Sequence, residues 1–265
     1  MEEKQHVAVL DFGSQYTQLI VRRVRELGYF AKLYSLEEFP HIGEPGAVIL
    51  SGGPKSTSDA DAPDIDFAAL DGLGVPVLGL CYGMQLMNIK FGGSVQASDR
   101  REYGSAKLFP EEGAELFEGL KHDSQVWMSH SDTVQDLAAD CQVIGRNHRG
   151  TPVALKWHER FYGIQFHPEV THSHEGTRVL HNFLLQAEEL EPFRIEDFKR
   201  EVIAGIHQIA GDRQVVCGVS GGVDSTVLAV LLKEAGTKVR AIFVDHGLMR
   251  KDEGEEVRNN FHRMG

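Results

Sequence analysis

The sequence predicts an α/β protein: a mainly parallel open sheet flanked by helices, carrying an antiparallel section, followed by the start of a second, Rossmann-like α/β unit. Three observations carry this. Short apolar runs such as Ala47-Val48-Ile49-Leu50 alternate with helix-period segments, as strands buried on both faces do. The runs end in small turn-formers, Gly13-Ser14 after one and Ser51-Gly52-Gly53-Pro54 after another. From about Ser94 to Phe166 the pattern shifts to short alternating runs, the mark of antiparallel pairing.

Each element has its own reason. His6 to Phe12 reads as a buried strand, and Gly13-Ser14 breaks it. Leu19, Ile20, Val24 and Leu27 then recur at helical spacing until Gly28 stops the helix. Ala47–Leu50 is the next strand, and Val75-Pro76-Val77-Leu78 leads into another. Met84-Gln85-Leu86-Met87 opens a helix. Gln125–Met128 and Thr151–Leu155 are strands of the antiparallel section, and a helix covers Gly176 to Glu189. Glu188-Glu189-Leu190-Glu191-Pro192 reads as a polar linker, since proline disfavours helix before it. The domains are therefore expected at 1–190 and 191–265. Ile195 to Ile209 is a helix, and Gln214–Val219 and Val239–Val244 are the two strands of the second unit. Two strands rarely enclose a core, so the chain reads as the front part of a longer protein.

Composition narrows the function. A hydrophobic content of 42% over 265 residues suffices for one large core and part of another. A net charge of −12 disfavours a general nucleic-acid partner. No apolar stretch reaches the ~20 residues of a membrane span, and Met-Glu-Glu-Lys-Gln is no signal peptide. Three cysteines without framework spacing fit a reducing, cytoplasmic setting.

Gly79-Leu80-Cys81-Tyr82-Gly83 holds a cysteine between a strand and a helix, the thiol form of a nucleophile elbow. The helix N-terminus beneath the sulfur favours thiolate. Downstream, Phe166-His167-Pro168-Glu169 supplies a base and an orienting carboxylate, placed on one face if the segment is a strand. Cys81 is the expected nucleophile, His167 the acid/base and Glu169 its orienting partner. The backbone N–H groups of Gly53 and Tyr82 are candidate oxyanion donors. A buried cysteine can equally be inert core, and a lone histidine can be a satisfied core residue. His172, His174 and His181 match no zinc spacing with His167, so no metal is expected in this domain; they read as part of an exposed, histidine-rich loop. Cys141 and Cys217 lie in strand-like runs and read as structural.

The blocks Ser51–Pro54, Gly79–Gln85 and Phe166–Glu169, in this order, resemble the class I, triad glutamine amidotransferases over residues 6 to about 188. The resemblance implies hydrolysis of glutamine through a γ-glutamyl thioester, with release of ammonia and no cofactor. It also implies that Gln85 and the backbone of Ser129 and His130 contact the substrate glutamine.

Farther on, Ser220-Gly221-Gly222-Val223-Asp224-Ser225 lies between a strand and a helix. Exposed glycine N–H groups and a helix N-terminus make an anion cradle. The Gly-Lys-Ser/Thr ending of the common P-loop is absent. A capped glycine turn is the plainer reading. The segment resembles the pyrophosphate-gripping loop of enzymes that split ATP between its α and β phosphates, which implies ATP and Mg²⁺ near residues 220–225. Phe243 to Arg250 and the opening Val9 to Tyr16 resemble the fused enzymes that join both modules. In those, ATP adenylates xanthosine monophosphate (XMP), and ammonia from glutamine displaces AMP to give GMP. They also imply a homodimer formed through a further C-terminal domain. Ser131 and His246 depart mildly from the pattern, where glycine and asparagine are usual. Two other readings stand beside this one: a triad amidotransferase of another pathway, and a catalytically silent regulatory or nucleotide-binding module.

Overall fold

The computed structural model describes residues 5–245, 247 and 253–264. They fall into two compact units that part between Phe193 and Arg194.

The first unit is built on strands β1 (Val7–Asp11), β2 (Ala31–Ser35), β3 (Ala47–Leu50), β4 (Val77–Leu80), β5 (Val95–Pro110), β6 (Ser124–Val134), β7 (Cys141–Asn147), β8 (Pro152–Trp157) and β9 (Phe161–Ile164). They form one sheet in the order β2-β1-β3-β4-β9-β8-β7-β5-β6. The run from β2 to β9 is parallel. From β9 onward every pairing is antiparallel. β9 joins the two halves, pairing parallel to β4 and antiparallel to β8.

Helices α1 (Thr17–Glu26), α2 (Phe67–Gly72), α3 (Tyr82–Lys90) and α4 (Gly176–Leu184) belong to this unit. Ile20, Val21 and Val24 of α1 and Val179, Leu180 and Phe183 of α4 share one apolar cluster with β1 and β9. α3 is buried from Tyr82 through Asn88. A helix enclosed on all sides needs no polar face, which explains its weak amphipathicity. Two glycines let it pack this tightly. A Cβ on Gly79 would sit 2.6 Å from the Met84 nitrogen, and one on Gly83 would sit 2.7 Å from the Leu50 carbonyl oxygen.

Three expectations are corrected. α4 ends at Leu184, five residues short of Glu189, and the next residues form turns. Residues 188–192 are not a free linker. The Glu191 N–H donates to Gln5 O at 2.8 Å, the Phe30 N–H donates to Glu191 O at 2.8 Å, and Tyr29 and Pro192 form an antiparallel bridge. His167 and Glu169 lie in a turn beyond β9, not on a strand.

The second unit contains α5 (Ile195–Ala210), β10 (Gln214–Val219), α6 (Val223–Glu234), β11 (Lys238–Phe243) and α7 (Glu253–Met264). β10 and β11 pair in parallel from Gln214/Lys238 to Val219/Phe243. Its core is small: Cys217, Val219 and Leu232, with Ile206, Val239 and Phe261 partly buried against them. His246 and residues 248–250 of the predicted Phe243–Arg250 block lie outside the described residues.

Candidate active site

The carboxyl ends of β1, β3, β4 and β9 open onto one cavity of about 430 Å³. Ligands of open parallel sheets bind at such ends. The cavity is lined by Gly53, Cys81, Tyr82, Gln85, Ser129, His130 and His167, among others. Seven of the eight site residues expected in this unit thus meet in one place, and Glu169 stands behind His167.

Cys81 caps α3 with φ 50° and ψ −102°. Side-chain-bearing residues rarely adopt that conformation, and holding one there costs about 1–3 kcal/mol. The surroundings enforce it. The Cys81 N–H donates to Ile164 O at 2.8 Å, and the Cys81 carbonyl accepts from the Gln85 N–H at 3.1 Å. The strand therefore cannot continue, the helix must begin, and the sulfur is turned toward the cavity. The N–H groups of Tyr82 and Gly83 fall in the first turn of α3 and have no carbonyl within the helix to bond.

The β3 end supplies the opposite wall. A Cβ on Gly52 would lie 3.1 Å from His167 Cε1 and 3.5 Å from Cys81 Cβ. One on Gly53 would lie 2.7 Å from the Phe12 carbonyl oxygen and 3.5 Å from Tyr82 Cγ. Gly52 is needed because the backbone passes beside both reactive side chains, and Gly53 because it passes against the Phe12 carbonyl.

His167 Nδ1 lies 2.8 Å from Glu169 Oε1, with both side chains buried. The His167 N–H donates to Trp127 O at 3.0 Å, and the Ser173 hydroxyl donates to His167 O at 2.5 Å. Tyr16 packs edge-on against the imidazole, with centroids 5.3 Å apart. Burial opposes charge on the ring. Interactions with Cys81 and with the Glu169 carboxylate outweigh it and raise the His167 pKa to about 10. The ring therefore stays cationic at neutral pH and carries a proton it can give.

His130 is the opposite case. Burial holds it below the ordinary histidine value, against the bond at 2.9 Å between its Nδ1 and Asp132 O. Its Nε2 lies 3.6 Å from Glu102.

Sequence reasoning missed Tyr16, Ser173 and Gln165. Gln165 Nε2 lies 3.5 Å from Cys81 Sγ. Its place two residues before His167 was the only available signal. His172 and His174 are exposed, as expected, but His181 lies in α4. Among the described residues, no group of three or more ligand-type side chains could hold a metal.

In the second unit, Ser220–Gly222 link β10 to α6. Gly221 has φ +80°, and a Cβ there would lie 2.4 Å from Val257 Cγ2. The Ser225 and Thr226 hydroxyls both donate to Gly222 O, at 3.1 and 2.8 Å. Residues 220–224 are exposed and Ser225 is half-buried. Asp224 places a carboxylate in the first turn of α6. The loop is thus an exposed turn at a strand's carboxyl end, followed by a helix N-terminus.

Comparison with known proteins agrees with both halves. Residues 8–187 match the model of the glutamine amidotransferase class-I family, and residues 195–264 match the PP-loop domain. A GMP synthase [glutamine-hydrolyzing] of Thermosipho melanesiensis is 49% identical over 98% of this chain and 51% of its own length. The enzyme of the same description from Clostridium acetobutylicum is 42% identical over 99% of this chain and 52% of its own. The chain thus spans about half the length of these relatives. Among solved structures, a GMP synthase subunit from Thermoplasma acidophilum superposes with a TM-score of 0.61 at 27% identity, covering 69% of this chain and 94% of its own. A glutamine amido transferase of Methylobacillus flagellatus shares the fold, with a TM-score of 0.55 at 16% identity, over 72% of this chain and 99% of its own.

Proposed function

The chain belongs to the glutamine amidotransferase class-I family, and from that premise we propose that its first unit hydrolyses glutamine to glutamate and ammonia through a thioester on Cys81. The observation that carries this reading is the Cys81 elbow opposite a histidine whose Nδ1 meets a buried carboxylate at 2.8 Å.

The Cys81 thiolate attacks the side-chain amide carbon of glutamine. The carbonyl electrons move to oxygen, and the N–H groups of Gly53 and Tyr82 receive the charge. The C–N bond then breaks as the His167 imidazolium gives its proton to the leaving nitrogen, so ammonia departs neutral. His167 next takes a proton from water. The water oxygen attacks the thioester, and the sulfur leaves as thiolate. Glu169 accepts from His167 Nδ1–H and holds that tautomer, which aims Nε2 at the reaction. Gln85, Ser129 and His130 line the part of the cavity where the amino-acid end of the substrate would sit.

The relatives' names and the PP-loop match support a larger role. In the whole protein, the ammonia would aminate XMP to GMP after ATP activates it. The loop of Ser220, Gly221, Gly222, Val223, Asp224 and Ser225 would hold the pyrophosphate part of ATP, mainly through backbone N–H groups. The fit is in the exposed glycine turn, with Gly221 at φ +80°, and in the exposed first turn of α6. A Mg²⁺ ion would neutralise phosphate charge there, and Asp224 would hold it. We assign the domain boundary to 190–194, the setting to the cytoplasm, and the homodimer contact to the part of the relatives beyond this chain's match. Among the described residues, no helix is long and apolar enough to cross a membrane.

The test is release of ammonia from glutamine by this chain, and its loss in Cys81→Ala. Full activity in that variant would overturn the assignment.

A further inference from the structure

Gln165 is 2% exposed and touches the reacting sulfur, yet none of the steps above uses it. Its Oε1 lies 3.1 Å from Gln85 Nε2, and Gln85 Nε2 lies 2.9 Å from Asp132 O. The two ends of a glutamine amide have nearly the same shape, so partners must decide which is which. A backbone carbonyl can only accept, so the end of Gln85 that faces Asp132 O is its NH₂. An NH₂ that also faces Gln165 must meet oxygen. The NH₂ of Gln165 is therefore left for Cys81 Sγ, at 3.5 Å. The same Asp132 carbonyl takes the Nδ1–H of His130 at 2.9 Å, which fills its second lone pair. Both N–H bonds of Gln85 are thus taken by protein acceptors, and only its oxygen remains for the substrate.

Sγ also lies 3.7 Å from Ser129 O. A thiol can donate there, whereas a thiolate meets only another acceptor. The Gln165 N–H favours the ionised sulfur without itself carrying charge. The titratable groups around it are His167 with Glu169 behind, His130 and Asp132 from β6, and Lys55 and the phenols of Tyr16, Tyr82 and Tyr103 in the cavity lining.

We propose that Gln165 is a catalytic residue whose amide N–H stabilises the Cys81 sulfur as thiolate, and that Gln85 is a positioning residue that locks this amide's orientation through the Asp132 carbonyl. The sulfur is anionic before it attacks and again when it leaves the thioester, so one contact serves both steps. The proposal rests on the glutaminase reading, but its test does not need glutamine.

The test is the pH dependence of Cys81 alkylation by iodoacetamide in the whole chain, with the modified peptide identified by mass. Gln165→Met keeps the bulk and removes the donor. One hydrogen bond to a charged group corresponds to roughly one unit in the midpoint of such a profile. We expect an upward shift of about one pH unit, with labelling up to ~tenfold slower at pH values below the wild-type midpoint. Gln85→Met should shift the midpoint the same way by less, since Gln165 keeps its amide but loses its lock. If Gln165→Met does not fold, Gln85→Met carries the test alone. An unchanged profile in a folded Gln165→Met, or in Gln85→Met when only that variant folds, overturns the proposal even if turnover falls. A wild-type chain that shows the expected shifts on mutation but releases no ammonia sinks the glutaminase reading and leaves the sulfur contact standing.

Discussion

Glu169 Oε1 reaches His167 Nδ1 at 2.8 Å across a turn with Pro168 at its centre. The turn is closed by Gly176, where a Cβ would lie 2.0 Å from the Pro168 carbonyl oxygen. The Arg23 guanidinium donates to Glu169 O at 3.0 Å and ties the turn to α1. The carboxylate is therefore held by backbone on both sides and has little freedom to leave the imidazole.

Replacing that carboxylate tests its role. Glu169→Gln should lower kcat on the order of 10² to 10⁴ with KM little changed, because the substrate does not touch Glu169. Steady-state ammonia release measures this. Unchanged kinetics would remove Glu169 from the triad.

The raised His167 pKa sets a pH window. Its folded value of about 10 lies above the ordinary 6.5. The charged ring's contribution to stability is thus complete below about 6.5 and is lost as pH rises toward 10. Melting temperatures of wild type and His167→Gln should differ most at pH 6 and converge by about pH 10. A gap that widens with rising pH would contradict the assignment of charge.

A glutamine-like electrophile should label Cys81 and spare the other two thiols. Burial pushes the Cys141 thiol up to about 11, and Cys217 packs into the apolar core of the second unit with Val219 and Leu232, whereas Cys81 lines the cavity. Peptide mapping with equal labelling at all three would refute the nucleophile.

Gly221→Ala should abolish pyrophosphate binding and destabilise the second unit by about 1–2 kcal/mol, because φ +80° and the approach to Val257 both exclude a side chain. Calorimetry with pyrophosphate reads the first effect. Ammonia release should persist, since the first unit has its own core.

Limited proteolysis should cut after Phe193 and not within 188–192. Within them Glu191 is hydrogen-bonded to Gln5 and Phe30, and Pro192 bridges Tyr29. Mass spectrometry of the first stable fragment decides.

The Cys81 elbow was legible because glycine, strand and helix signals lie within ten residues of one another. The His167–Glu169 pairing was legible for a reason that does not hold: two residues apart on a strand share a face, but here a turn brings them together. Segment 188–192 misled because its composition is that of a linker, while its hydrogen bonds go to residues 5 and 30, far off in sequence. Gln165 was invisible because its meaning rests on Gln85 and Asp132, which only the fold places beside it. The strand order β4-β9-β8 was beyond reach for the same reason, since local pattern does not say which distant strands pair.

At φ 50° and ψ −102° a glycine would be at ease, and Cys81→Gly should raise stability by about 1 kcal/mol while ending catalysis. Selection for a sturdier fold alone would therefore erode this position toward glycine. A lineage that no longer needed the reaction would be expected to lose the thiol early, and to keep the rest of the elbow intact.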